Sequence, residues 1–140
     1  MVQTQKCVVY GKPRGKGRPR FAYRGHTYTD AVTTEYEGRV KKAWKSENNF
    51  KFEKSPTSVI IKAYFPVPVS LSKKRMAELF DRPYLGKADA DNIAKIILDA
   101  LNKVAWADDS QIDVLLVQKR YVKSPDDPPR VEVEVIGGTE

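Results

Sequence analysis

The sequence predicts an α+β fold, a mixed β-sheet packed with about three helices in a single compact domain. Three observations carry this. Apolar stretches of strand length alternate with stretches at helical spacing. The closing segment V-E-V-E-V, residues 131 to 135, alternates strictly, which suits a strand with one buried and one wet face. No repeat or low-complexity linker divides residues 1 to 140. A chain of that length buries roughly 68–70% of its unfolded surface, enough for one core.

The elements follow in order. K-C-V-V-Y, residues 6 to 10, reads as a short strand. G-K-P-R-G-K-G-R-P-R, residues 11 to 20, holds five cations and no acid, and its glycines and prolines make it a loop. F-A-Y-R-G-H-T-Y-T, residues 21 to 29, suits a small hairpin with His26 at its solvent-facing tip. Residues 31 to 47 read as an amphipathic helix on Val32, Tyr36, Val40 and Trp44, with Thr34 and Glu37 as a capping pair. T-S-V-I-I-K-A-Y-F, residues 57 to 65, is a strand that Pro66 and Pro68 end. A short helix runs from about Ser72 to Phe80. Residues 91 to 104 form the main helix: Ile93, Ile96, Ile97, Ala100, Leu101 and Val104 share the core face. Asp91, Lys95 and Asn102 lie nearly opposite, with Asp99 on the flank and Leu98 on the polar side. Residues 112 to 122 are apolar on both faces at first, as in an interior strand, and are expected to form a hairpin with residues 131 to 135.

Composition narrows the function. A net charge of +7 and a pI near 9.5 favour polyanions such as nucleic acid. No apolar run approaches the ~20 residues of a membrane span. The amino terminus lacks the layout of a secretory signal. The lone cysteine, Cys7, has no internal partner, so a reducing, cytoplasmic compartment is expected.

Against that positive balance, Asp89, Asp91, Asp99, Asp108 and Asp109 crowd around one helix, with Lys95 among them. Two structural readings are open. Acids at a helix start gain about 0.3–1 kcal/mol each from the dipole, and aspartate is a preferred cap. Asp91 and Lys95 are also an i,i+4 pair worth roughly 0.2–0.5 kcal/mol. A calcium-binding loop is excluded, because its fifth and sixth positions would be Ile93 and Ala94 in place of an oxygen ligand and glycine. The chemical reading is a metal site. A helix, a turn and a returning strand can bring Asp108 and Asp109 beside some earlier part of that helix, and a divalent cation relieves the repulsion of converging carboxylates. Oxygen-only donors suit magnesium or manganese. Lysine near them can hold a phosphate.

K-A-D-A-D-N-I-A-K-I-I-L-D-A-L-N, then W-A-D-D-S-Q-I, then V-Q-K-R-Y resembles the RusA family of Holliday-junction resolvases, common in phages and prophages. The resemblance extends to K-G-R-P-R-F near residue 16 and S-K-K-R before the second helix, and so covers most of the chain. Ala88 departs from the family's usual proline without removing a proposed ligand. The resemblance implies essential carboxylates at Asp89, Asp91 and Asp109, a lysine required for cleavage at Lys95, and a supporting Asp108. The catalytic segment is then residues 87 to 109. Asp99 reads as a surface acid. It further implies a magnesium-dependent homodimer, bacterial or phage-encoded, with manganese a possible substitute and no small-molecule cofactor. Such a dimer nicks two opposed strands of a four-way DNA junction, leaving 5′-phosphate ends.

DNA contact is expected at Lys12, Arg14, Lys16, Arg18 and Arg20, on a flexible loop able to follow a backbone. Lys73, Lys74 and Arg75 form a second basic knot. Phe21, Tyr23 and Tyr28 suit either base stacking or core packing, and Trp106 suits packing. The rivals are a nucleic-acid-binding module without chemistry and a less specific magnesium nuclease.

Overall fold

The computed structural model describes residues 2–17, 20–21, 27–28 and 30–138, the pairs 20–21 and 27–28 by backbone alone. His26, Tyr23 and Arg18 fall outside the described residues.

The strands are β1 (Val2–Tyr10), β2 (Arg20–Phe21), β3 (Thr27–Tyr28), β4 (Thr57–Phe65), β5 (Ile112–Tyr121) and β6 (Arg130–Gly138). The helices are α1 (Ala31–Glu47), α2 (Lys73–Leu79) and α3 (Ala90–Leu101), with a 3-10 turn over Asp109–Gln111. One mixed sheet runs β1-β6-β4-β5, and β2 pairs with β3 as the expected small hairpin. β5 is parallel to β4, whereas β6 is antiparallel to both β1 and β4. The α+β class and the three helices are therefore as the sequence predicts.

One face of the sheet carries the core. Val131, Val133 and Val135 of β6 register with Ala63, Ile61 and Val59 of β4, and all six are buried. Cys7 and Val9 continue that face across β1. α1 and α3 cover it. Ile93, Ile96, Ile97, Ala100 and Leu101 of α3 are fully buried, as the helical wheel places them. Fully burying each of the isoleucines and the leucine is worth about 1.5–3 kcal/mol. The helix stops at Leu101, so Val104 packs on the core from the turn that follows.

Three local expectations are corrected. Asp30, directly before α1, caps it by accepting from Thr33 N at 2.7 Å, which displaces the Thr34–Glu37 box. Val32 is 52% exposed and Thr33 takes its place beside Tyr36, Val40 and Trp44. The third concerns the sheet order. β5 and β6 do not form a hairpin, because β6 lies between β1 and β4, and β5 is an edge strand rather than an interior one. The connection, residues 122 to 129, carries Pro125, Pro128 and Pro129 and is far from the two-residue turn that a tight hairpin uses.

The two rims of the sheet differ. On β1, the outward carbonyls of Lys6 and Tyr10 accept from side chains of the α1 region, Asn48 Nδ2 at 3.0 Å and the Arg39 guanidinium. On β5, the cover among the described residues lies at the far end: Tyr84 N donates to Lys119 O at 3.1 Å and Tyr121 N to Arg82 O at 2.9 Å.

Candidate active site

The segment leading into α3 is fastened before the aspartates begin. Tyr84 stacks on Phe65, with ring centroids 3.8 Å apart, and meets Tyr121 edge-on. Lys119 Nζ, from β5, donates to Ala88 O at 2.8 Å and lies 5.6 Å from the Tyr84 ring. Asp89 follows as the α3 N-cap in extended conformation, and its carboxylate makes no cap hydrogen bond. Asp91 and Lys95 are exposed, and among the described residues neither has an ion-pair or hydrogen-bond partner. Side-chain capping and i,i+4 pairing are thus not what these carboxylates do here, which leaves the helix dipole as the one structural use that Asp89 and Asp91 retain.

The basic loop docks beside this helix start. Lys16 N donates to Asn92 O at 2.9 Å, and a side chain on Gly15 would meet Asn92 Cβ at 3.0 Å. Gly17 N donates to Thr33 Oγ1 at 3.1 Å, and Gly11 N to Pro129 O at 2.9 Å. Residues 11 to 17 are therefore pinned to α1, α3 and the β6 approach, not free to swing. Lys16 Nζ sits 2.7 Å from Glu37 and 3.1 Å from Asp99. Burial opposes its charge, but the hydrogen bonds that its ammonium donates to the two carboxylates outweigh that and raise its pKa. This ion triad explains Asp99 and turns Lys16 inward. Lys12 and Arg14 stay exposed beside Pro13, which is buried. A groove of about 420 Å³ runs between this loop and α1, lined by Lys12, Arg14 and Thr33. Lys73, Lys74 and Arg75 are exposed on the first turn of α2.

Asp108 and Asp109 belong to a second, rigid assembly. Gln111 Oε1 accepts from Ala107 N at 2.9 Å and Asp108 N at 3.0 Å. Its Nε2 donates to Phe52 O, Ser55 O and Thr57 Oγ1 at 3.0–3.2 Å. Every hydrogen-bonding group of that amide is used, which gives the glutamine of D-D-S-Q a structural purpose the sequence did not reveal. Asp108 Oδ2 accepts from Ser110 N at 3.0 Å, and the Ser110 side chain together with that backbone bond, helped by Lys103, holds its carboxyl below the usual range. Buried Trp106 is more than packing: its Nε1 donates to Asp109 Oδ1 at 2.7 Å. That bond orients the carboxylate and leaves Oδ2 open.

The two assemblies stand apart within one chain. Asp89 and Asp91 begin α3, whereas Trp106 and Asp109 follow its end, where Ala105 N bonds to Leu101 O. The twelve residues of α3, about 18 Å of axis, lie between Asp89 and the turn that leads to Asp109. Among the described residues no three Asp, Glu, His or Cys side chains converge to hold a metal ion. The donors are all carboxylate oxygens, the set that magnesium and manganese prefer, and Asp89 and Asp91 are free to bind. A third carboxylate from another segment would complete the set.

No helix among the described residues is long and apolar enough to cross a membrane. The family described as "Endodeoxyribonuclease RusA" matches residues 10–136. A protein of Bacillus subtilis (strain 168), named "Uncharacterized protein YqaN", is 34% identical over 137 residues, covering 93% of this chain and 94% of that protein. With β4, β5, most of β6, all three helices and both aspartate segments inside the matched span, the chain belongs to the RusA endodeoxyribonuclease family.

Proposed function

We propose that the protein is a magnesium-dependent, structure-specific endodeoxyribonuclease that resolves four-way DNA junctions by paired nicks, acting as a homodimer in recombination and repair. The observation that carries this is the start of α3. Asp89, Asp91 and Lys95 are solvent-facing, hold no cap bond and no ion pair, and adjoin a pinned loop presenting Lys12 and Arg14.

Asp89 and Asp91 would hold the ion, with Asp109 joining them only from the second protomer of the homodimer, since a helix length separates it from them within one chain. Asp108 shapes the turn that presents Asp109. When bound, a divalent cation supplies Lewis-acid activation of the phosphodiester and its attacking water. Lys95, one turn beyond Asp91, meets the charge that builds on the phosphate oxygens during cleavage. Trp106 fixes the rotamer of Asp109, so little reorganisation is needed when substrate arrives. Lys12, Arg14, Lys73, Lys74 and Arg75 neutralise backbone phosphates and release counterions. Each protomer brings one site to one strand, matching the two-fold symmetry of the junction.

The test is a labelled four-way junction incubated with and without magnesium beside an intact duplex. Cleavage of the junction alone, and only with metal, is the expected result. Equal cutting of duplex would mean a less specific nuclease, and binding with no cutting under any divalent metal would mean a binding module.

A further inference from the structure

α3 carries three charged side chains in one row, Asp91, Lys95 and Asp99, each one turn from the next. Lys95 therefore has a carboxylate one turn behind it and another one turn ahead, the spacing at which exposed lysines ordinarily form ion pairs. Among the described residues it pairs with neither. Asp91 belongs to the proposed metal site, where a bound cation engages it. Asp99 is then the standing competitor for the Lys95 ammonium, and the structure gives Asp99 to a different cation. Lys16 Nζ lies 3.1 Å from Asp99 Oδ2 and 2.7 Å from Glu37 Oε2.

Lys16 comes from outside α3 and is firmly placed. Its own N–H donates to Asn92 O, Gly15 before it sits against Asn92 Cβ, and Gly17 after it donates to Thr33 Oγ1 on α1. The backbone thus touches α3 at Asn92, while the ammonium reaches Asp99, about two turns further along. The Lys16 stem passes the turn that carries Lys95 and Ile96. Its side chain is 16% exposed, so it is a fixed counter-ion rather than a solvated one.

Among the described residues, two other cations come into question for the acids that Lys16 holds. Lys41 lies one turn along α1 from Glu37 and can serve that acid. Lys103 stands past the end of α3 in left-handed conformation, with its Nζ 4.0 Å from Asp108. Without the Lys16 ammonium, Lys95 is therefore the cation that α3 itself offers to Asp99. A Lys95 ammonium paired with Asp99 is turned toward the far end of the helix, away from Asp89 and Asp91. Its charge is neutralised before any phosphate arrives.

We propose that Lys16 is a positioning residue for cleavage: by holding Asp99, it keeps the Lys95 ammonium unpaired beside Asp91, ready for a phosphate oxygen. The role of Lys95 rests on the nuclease reading above; the competition of Lys16 and Lys95 for Asp99 does not.

The test is a double-substitution cycle read by single-turnover cleavage of a labelled four-way junction with magnesium. Lys16→Met is expected to lower the rate about fivefold or more with junction affinity held, the scale of coupling within one charge network. Asp99→Asn alone is expected to cut at the wild-type rate. Lys16→Met combined with Asp99→Asn should return to within about twofold of it, because the competitor is gone. A brace that serves only the fold predicts no such return, since the double variant has lost both halves of the bridge. A double variant as slow as Lys16→Met, or a loss carried by affinity alone, overturns the proposal. A second reading comes from NMR. The scalar coupling across a hydrogen bond between the Lys95 ammonium nitrogen and the Asp99 carboxylate carbon is expected in Lys16→Met and absent in wild type. Its absence from Lys16→Met overturns the proposal as well. If Lys16→Met does not fold by circular dichroism, both measurements are made in a Glu37→Gln background, which removes one of the two carboxylates left facing each other. If wild type cuts no junction, the nuclease reading fails, and the coupling still decides whether Lys16 withholds Asp99 from Lys95.

Discussion

Lys119 Nζ donates to the carbonyl oxygen of Ala88 at 2.8 Å, so strand β5 holds the residue that precedes Asp89. Methionine at this position keeps the apolar stem and removes the donor. Lys119→Met is expected to lower the turnover of junction by about tenfold or more, since small displacements of reacting groups cost that much. Junction affinity should change little. Filter binding and single-turnover cleavage separate the two, and a loss confined to affinity would show that Lys119 grips DNA instead.

Asp91→Asn removes one carboxylate charge from a side chain with no structural partner. Cleavage should vanish while the melting temperature and junction binding hold. Lys95→Ala should cost about 10²–10³ in rate, the usual penalty for deleting one transition-state charge partner. A variant that cuts normally would remove that residue from the machinery.

Trp106→Phe keeps most of the buried ring and deletes the Nε1 donor to Asp109. A hydrogen bond to a charged group is worth about 1.5–3 kcal/mol. Part of that should appear as lost stability in urea titrations. Cleavage should fall further than stability alone explains, because Asp109 loses its fixed rotamer. Unchanged cleavage at full folding would reduce Trp106 to packing.

Lys12 and Lys16 should behave differently although they lie four residues apart. Exposed Lys12, changed to alanine, is expected to lower the slope of log affinity against log salt by about one. Lys16, engaged by Glu37 and Asp99, should leave that slope near wild type and cost thermal stability. Equal salt slopes for both variants would mean that the triad opens to meet DNA.

Burial pushes the Cys7 thiol from 9.0 up to about 12, and the Tyr36 hydroxyl from 10.0 up to about 12. Both groups stay neutral in the folded chain while the unfolded chain ionises. Their contribution to stability is therefore complete below pH 9 and drains away as pH rises toward 12. Urea midpoints at about pH 8 and about pH 11 should show the drop, and Cys7→Ala should shrink it. Native Cys7 should also resist thiol reagents until the protein unfolds.

The helices were legible because burial imposes a period on them. Ile93, Ile96, Ile97, Ala100 and Leu101 announce α3, and the alternation of β6 announces its buried face. Topology was not legible. Val114 to Val117 look like an interior strand because sequence records that both faces are apolar, not which neighbour covers them. The same limit applies to the aspartates. The resemblance proposes Asp89, Asp91 and Asp109 as ligands, but where a returning strand sets its first residues depends on pairing with β4, a contact between segments far apart in the chain. Gln111 and Lys119 were missed for a related reason. Each acts on backbone carbonyls, and carbonyls leave no mark on a sequence.

Asn48 and Arg39 close the β1 rim with side chains, and that closure limits growth. A sheet open on both sides could add copies without end and form fibres. With that rim engaged by side chains among the described residues, edge-to-edge accretion has no second direction in which to run on, and the apolar strand at the opposite flank, Val114 to Val117, is by itself no template for a fibre.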